Sequence, residues 1–181
     1  MTSQQEAQWV LLAQADDRAA VELLLRSVEP SLARYVRALV GPAHADDITQ
    51  DVLFTIYRKL WWLSSPDLFR PWMFRIASRT AFRYLKRERR WPDHLRDDGA
   101  LDDLPSCDQT PASIDVDRLL NDERVTPASR AVLVLHFKEG MTLPEVAAVL
   151  DVPLGTVKSR LAYGLAALRR HYADANGGDN D

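Results

Sequence analysis

A single cysteine, Cys107, excludes an internal disulfide, and its polar surroundings fit a reducing compartment. Glycine is scarce, with seven in 181 residues, and no stretch of β-branched residues alternates cleanly with polar ones. These shortages leave little material for strands and hairpin turns. No apolar run approaches the roughly 18 residues of a membrane span. The N-terminus MTSQQEAQWV lacks the basic-then-apolar order of a signal peptide. A soluble cytoplasmic chain without membrane insertion is the expectation. A large net charge is missing as well, since the total is −3. Totals of this kind hide a nucleic-acid partner when opposite charges are segregated along the chain, and here they are.

What is present is helical spacing. Hydrophobic residues make up 46% of the chain and charged ones 27%, an ordinary globular balance. The periodicity predicts an all-α fold of two small helical domains joined by a flexible acidic linker. Asp16 or Asp17 opens a helix through Val28, and Pro30 opens another through Val40. Gly41-Pro42 breaks it, and Asp46 can cap a helix running to about Leu63. The stretch SSPD interrupts, a long helix follows from about Leu68 to Arg90, and WPD at 91–93 ends it.

The expected boundaries are 1–92, 93–112 and 113–172, with a frayed tail at 173–181. Residues 93–109 hold Asp93, Asp97, Asp98, Asp102, Asp103 and Asp108 against Arg96 alone, which reads as a linker. Helices resume near Ser113. Thr126-Pro127 starts one that Gly140 closes, and Thr142 with Glu145 forms a capping box for a helix ending near Leu150.

The last helix, GTVKSRLAYGLAALRR at 155–170, has an apolar stripe of Val157, Leu161, Leu165 and Leu168. Its other faces carry Ser159, Ala162, Tyr163, Ala166, Lys158, Arg169 and Arg170, with no acid at all. A merely solvated helix usually carries salt-bridging acid–base pairs. A short capped helix, a tight turn and a second amphipathic helix make a helix-turn-helix, whose second helix enters the DNA major groove. Thr156, Lys158, Ser159, Arg160 and Tyr163 are the candidate contacts, because hydroxyls and cations bond base edges and phosphates.

Two further faces stand out. In ADDITQDVLFTIYRKLWW, Ile48, Val52, Leu53, Ile56 and Leu60 form one face, while Asp47, Gln50, Asp51, Phe54, Tyr57 and Trp61 gather on the other. An aromatic inside a polar rim has the anatomy of a protein interface. Packing of Phe54 on a neighbouring helix is the equal alternative. In RPWMFRIASRTAFRYLKRERR, Arg75, Arg79, Arg83, Lys86 and Arg90 share a stripe, with Trp72 one turn before. Cations that track a backbone beside a ring that stacks on a base suit single-stranded nucleic acid. His44, Asp46 and Asp47 make a poor metal site, since they point apart and no cysteine or second histidine joins them. Nothing marks a catalytic constellation or a cofactor site.

TLPEVAAVLDVPLGTVKSRLAYGLAALRR resembles the promoter-binding C-terminal domain of bacterial sigma factors, in the small extracytoplasmic-function group, and GTVKSRL is specific to it. The resemblance implies that this helix reads the −35 element. DDITQDVLFTIYRKL resembles the sigma helix that docks on the largest polymerase subunit, which implies core RNA polymerase contacts at Asp47, Gln50, Asp51 and Phe54. The basic helix and the loop 62–69 would then melt the −10 element of promoter DNA and hold the displaced strand. Three departures are visible. Asp151 stands where the family usually has glycine, Gly164 where it often has a base, and Arg79 and Arg83 where Asn and Asp are common. Asp tolerates the left-handed turn, whereas Gly164 is expected to cost a phosphate contact. An anti-sigma protein is a further partner implied by the family. The competing readings are a stand-alone helix-turn-helix regulator, which leaves the DDITQD face without a role, and a metal-dependent nuclease, for which the acids do not converge.

Overall fold

The computed structural model describes residues 3–88 and 125–176, with side chains described as far as 167. The acidic linker, the helix start near Ser113, Arg90 and residues 177–181 lie outside these described parts, as do the side chains of Leu168, Arg169 and Arg170. Within them, all regular structure is helical, as the scarcity of strand signals implies.

The first lobe begins with α1 (Ser3–Gln14), a helix the capping signals do not announce. It seats Val10 and Ala13 in the core and leaves Leu11 and Leu12 exposed. Asp16 then takes a left-handed backbone conformation (φ 66°), and Asp17 caps α2 (Arg18–Val40) by accepting from the amides of Ala19 and Ala20 at 2.9 and 3.1 Å. The predicted break at Pro30 does not occur: α2 runs through it. A proline inside a helix removes one backbone hydrogen bond and costs about 3 kcal/mol. Against that, Leu24, Val28, Leu32, Tyr35, Val36 and Leu39 form one buried stripe across the proline, and each buried aliphatic side chain contributes roughly 1.5–3 kcal/mol. Burial wins.

Gly41 (φ 83°) ends α2, and Pro42 starts α3 (Pro42–Lys59). That helix begins one turn before the expected cap at Asp46, because proline is already set for the first helical position. Ala45, Ile48, Val52 and Ile56 bury its inner face. A 3₁₀ turn at Leu60–Trp62 follows, and Gln14 donates to the carbonyls of Leu60 and Leu63 at 2.9 and 2.8 Å. After a second such turn at Pro66–Leu68 comes α4 (Phe69–Arg87), with Phe69, Met73, Phe74, Ala77, Ala81 and Leu85 buried. The buried Tyr35 hydroxyl meets Ser78 at 2.6 Å, and its ring lies edge-on to Phe74 at 5.2 Å. Burial pushes the Tyr35 pKa well up, against a smaller opposite effect of the Ser78 bond, so the phenol stays neutral.

The second lobe starts with α5 (Pro127–Leu133), capped by the Thr126 hydroxyl, which accepts from the Ser129 amide. It runs on into a π-helical turn at Val134–Lys138, and Gly140 (φ 70°) reverses the chain. Thr142 and Glu145 make the predicted capping box on α6 (Leu143–Leu150), with the Thr142 amide donating to Glu145 at 2.7 Å. Hydrogen bonds from Thr142 hold the Glu145 carboxyl below its ordinary pKa. Asp151 adopts the left-handed conformation (φ 59°) that its side chain was expected to tolerate. The final helix, α7 (Leu154–Asn176), is helical past the point where fraying is expected. In space α5 lies against α2 and α6 against α4, and the buried apolar residues of both lobes form one continuous cluster.

Candidate functional site

On α3 the two predicted faces separate as the spacing requires. Ile48, Val52, Ile56 and Leu60 are buried, and Leu53 is half-buried against the core. Asp47, Gln50, Asp51, Phe54, Tyr57 and Trp61 are all exposed. Phe54 is 60% exposed, which removes the alternative of packing on a neighbouring helix. The Arg58 guanidinium sits 5.7 Å from the Phe54 ring centre, and Tyr57 meets Trp61 edge-on at 5.7 Å. Tyr57 and Trp61, with Val21 and Leu25 of α2, also line a shallow pocket rimmed by Asp16, Arg18 and Glu22.

On α4, Arg75, Arg79, Arg83 and Lys86 form the expected exposed stripe. Trp72 is half-buried, tilted on Phe69 at 6.1 Å and packed against the core, so only part of its ring faces outward. Arg75 and Arg79 both reach the carboxylate of Asp151 in the helix turn of the second lobe, at 3.7 and 3.3 Å. In the loop 62–69, Trp62 and Leu68 are exposed while Leu63 and Phe69 turn inward.

On α7, Val157, Leu161 and Leu165 are buried as expected, and Lys158 is exposed. Thr156, Ser159 and Tyr163 are half-buried, with the Ser159 hydroxyl donating to the Thr156 carbonyl at 3.0 Å. Arg160 is 9% exposed, so it lies against the protein rather than at the centre of an open face. Gly164 corrects the sequence reading. It is buried, and a side chain there would bring its Cβ to 2.8 Å from Leu133 Cδ1. The position serves close packing of α7 on α5, and a phosphate contact was never available to it.

Sequence reasoning missed a polar cluster between the lobes. Arg70, at the start of α4, donates from Nε and Nη2 to Glu6 of α1 at 2.7–2.9 Å. Its Nη1 donates to Glu139 at 3.2 Å, and Arg34 of α2 reaches the other Glu139 oxygen at 2.7 Å. The Glu6 and Glu139 side chains are each only 3% exposed. Hydrogen bonding to Glu6 raises the Arg70 pKa, and burial opposes it. No motif marks these residues, and they are 64 and 69 positions from Arg70.

A helix-turn-helix lobe beside a lobe with an aromatic–acidic face and a basic stripe defines an all-helical DNA-binding protein equipped for a second macromolecular partner. Sigma-70 region 2 matches residues 24–91, and Sigma-70 region 4 matches residues 123–170. The chain is 29% identical over 174 residues to the RNA polymerase sigma-H factor of Pseudomonas aeruginosa, covering 89% of this chain and 90% of that protein. It is 27% identical over 160 residues to the ECF RNA polymerase sigma-E factor of Escherichia coli, covering 82% and 84%. The fold resembles CnrH bound to the cytosolic domain of CnrY, with a TM-score of 0.60, 24% identity, and coverage of 92% of this chain and 98% of that one. It likewise resembles RpoE of Bartonella quintana bound to the anti-sigma factor NepR, with a TM-score of 0.60, 19% identity, and coverage of 88% and 98%. The chain belongs to the sigma-70 family, in its extracytoplasmic-function group. It is a non-enzymatic sigma factor that directs RNA polymerase to promoters for transcription initiation.

Proposed function

We propose that this sigma factor divides its work among three helix faces. The α3 face binds core RNA polymerase through Asp47, Gln50, Asp51 and Phe54. The α4 stripe of Trp72, Arg75, Arg79, Arg83 and Lys86 holds the melted −10 strand, with cations along the backbone and a ring edge for a base. The α7 residues Thr156, Lys158, Ser159 and Tyr163 meet the −35 duplex, with Lys158 as the exposed cation and Arg160 at the margin. Residues 1–92 and 113–172 act as the two promoter-reading domains, and 93–112 tethers them. The factor works in the cytoplasm, where its polymerase is. An anti-sigma protein is a partner of the same kind as CnrY and NepR in the related complexes.

The observation that carries this reading is the 60% exposure of Phe54 within a rim of Asp47, Gln50 and Asp51. A stand-alone helix-turn-helix regulator has no use for such a surface. Phe54→Ala should weaken core polymerase binding by about 1–3 kcal/mol, the range of an interface anchor. Its melting temperature should stay at the wild-type value. Binding is read by titrating the labelled factor with core enzyme. Unchanged affinity would remove the interface from this helix.

A further inference from the structure

Gln14, the last residue of α1, uses both hydrogens of its side-chain amide. Its Nε2 donates to the carbonyl of Leu60 at 2.9 Å and to that of Leu63 at 2.8 Å. Those carbonyls bracket the 3₁₀ turn Leu60–Trp62, which the Leu63 amide closes by donating to the Leu60 carbonyl at 3.2 Å. Leu60 and Leu63 turn into the core, while Trp61 and Trp62 between them face outward at 40% and 77%. Trp62 is the most exposed large hydrophobic side chain among the described residues. The far end of the same loop is tied to the same helix. Arg70 places its guanidinium on the carboxylate of Glu6 at 2.7–2.9 Å, about two turns before Gln14. One helix therefore braces the segment 60–70 at both ends.

We propose that Gln14 is a positioning residue for strand opening, which holds Trp62 out of the protein as a ring for a displaced base to stack on. The inference rests on the reading of α4 as the strand-binding helix. That helix carries its cations on an exposed stripe, but its own ring, Trp72, is half-buried on Phe69 and packed against the core. Stacking needs the face of a ring. Trp62 offers one, on the loop that runs directly into α4. A ring of this size left in water forfeits the free energy that its burial would give. Gln14 prevents the turn from rolling Trp62 inward, because rotation of the turn would break both hydrogen bonds and swing Leu60 or Leu63 out. Gln14 itself touches no nucleic acid in this scheme. Its effect is on entropy: the ring is ordered when the protein folds, so strand binding does not bear that cost.

The test uses holoenzyme assembled from the full-length chain and core RNA polymerase, on a promoter fragment that the wild-type holoenzyme selects from genomic DNA. Permanganate reactivity of thymines reads strand opening, and titration of the labelled factor reads core affinity. Trp62→Ala should lower the opening equilibrium about tenfold, the loss of one stacked base. Gln14→Leu keeps the bulk and removes both donors, and should lower opening about threefold, the cost of ordering one side chain on binding. Gln14→Lys, whose ammonium can donate to both carbonyls, should recover most of the loss. Core affinity should match wild type throughout. In a Trp62→Ala background, Gln14→Leu should lower opening no further, because the two residues act as one unit. A general loss of stability would instead lower opening equally in both backgrounds.

Wild-type opening by the Gln14→Leu variant overturns the proposal. Equal effects in the two backgrounds, with no recovery by lysine, overturn it as well. If Trp62→Ala weakens core affinity and leaves opening intact, the ring belongs to the polymerase contact and the proposal fails. Arg79→Ala separates the two levels. If it leaves opening untouched, the assignment of α4 fails; if it lowers opening while the Trp62 and Gln14 variants change nothing, only the braced ring fails.

Discussion

Gly164 shows how a single residue changes meaning between sequence and structure. Counted along the helix, it falls three residues after Leu161 and four before Leu168, inside the apolar stripe of α7, yet set against the family pattern its lack of a side chain reads as a missing cation. In three dimensions its Cα faces Leu133, a fully buried residue of α5, and the helices approach closely because nothing projects there. Gly164→Lys, which a phosphate-contact role would favour, should therefore destabilise the second lobe by about 1–3 kcal/mol, as overpacking does. Thermal unfolding followed by circular dichroism measures this, and an unchanged melting temperature would put the position back on the open face. Phe54 is the converse case. Its place among carboxylates left core and interface readings level, and its exposure is what decides between them.

At the scale of elements, capping chemistry was the most legible feature. The Thr142–Glu145 box and the left-handed Asp151 follow from local residue types, because local hydrogen bonds determine them. Thr142→Ala should cost about 1 kcal/mol, the usual worth of such a cap. The acid side follows from the Glu145 carboxyl, whose folded pKa is depressed by Thr142. Its contribution is full above the unfolded carboxylate value and is lost as pH falls through the folded one. The gap between acid melts of wild type and Thr142→Ala should therefore narrow below that range without closing, since the Glu145 amide still donates to the Thr142 hydroxyl, and a gap unchanged by pH would show that the box carries no charge-dependent stability. What the sequence hid were α1, which lacks a recognisable start, and the passage of α2 through Pro30. Both are settled by burial against helices far along the chain, and residue-by-residue signals carry no trace of that.

For the whole molecule, the exposed faces were legible and the docking of the lobes was not. Amphipathic spacing shows that a face exists. It does not show that Arg34 and Arg70 converge on Glu139 across the gap between lobes. One apolar cluster spans both lobes, so heat should unfold the wild-type chain in a single transition. Glu139→Ala leaves Arg34 and Arg70 without their shared carboxylate and should split this into two transitions in a calorimeter. A split already present in the wild type would mean the lobes are thermally independent.

The N-terminal helix has a practical consequence for anyone cutting this protein into pieces. The Sigma-70 region 2 match begins at residue 24, and a fragment started there looks like a natural unit for expression. Such a fragment would lack Glu6, Val10, Ala13 and Gln14. Arg70 would lose its bidentate carboxylate, the core would open a wall, and the carbonyls of Leu60 and Leu63 would lose their donor just ahead of the 62–69 loop. A recombinant boundary drawn from the family match would yield a sticky, poorly folding product whose failure to bind promoter DNA says nothing about its arginines; one drawn before Ser3 keeps the lobe whole.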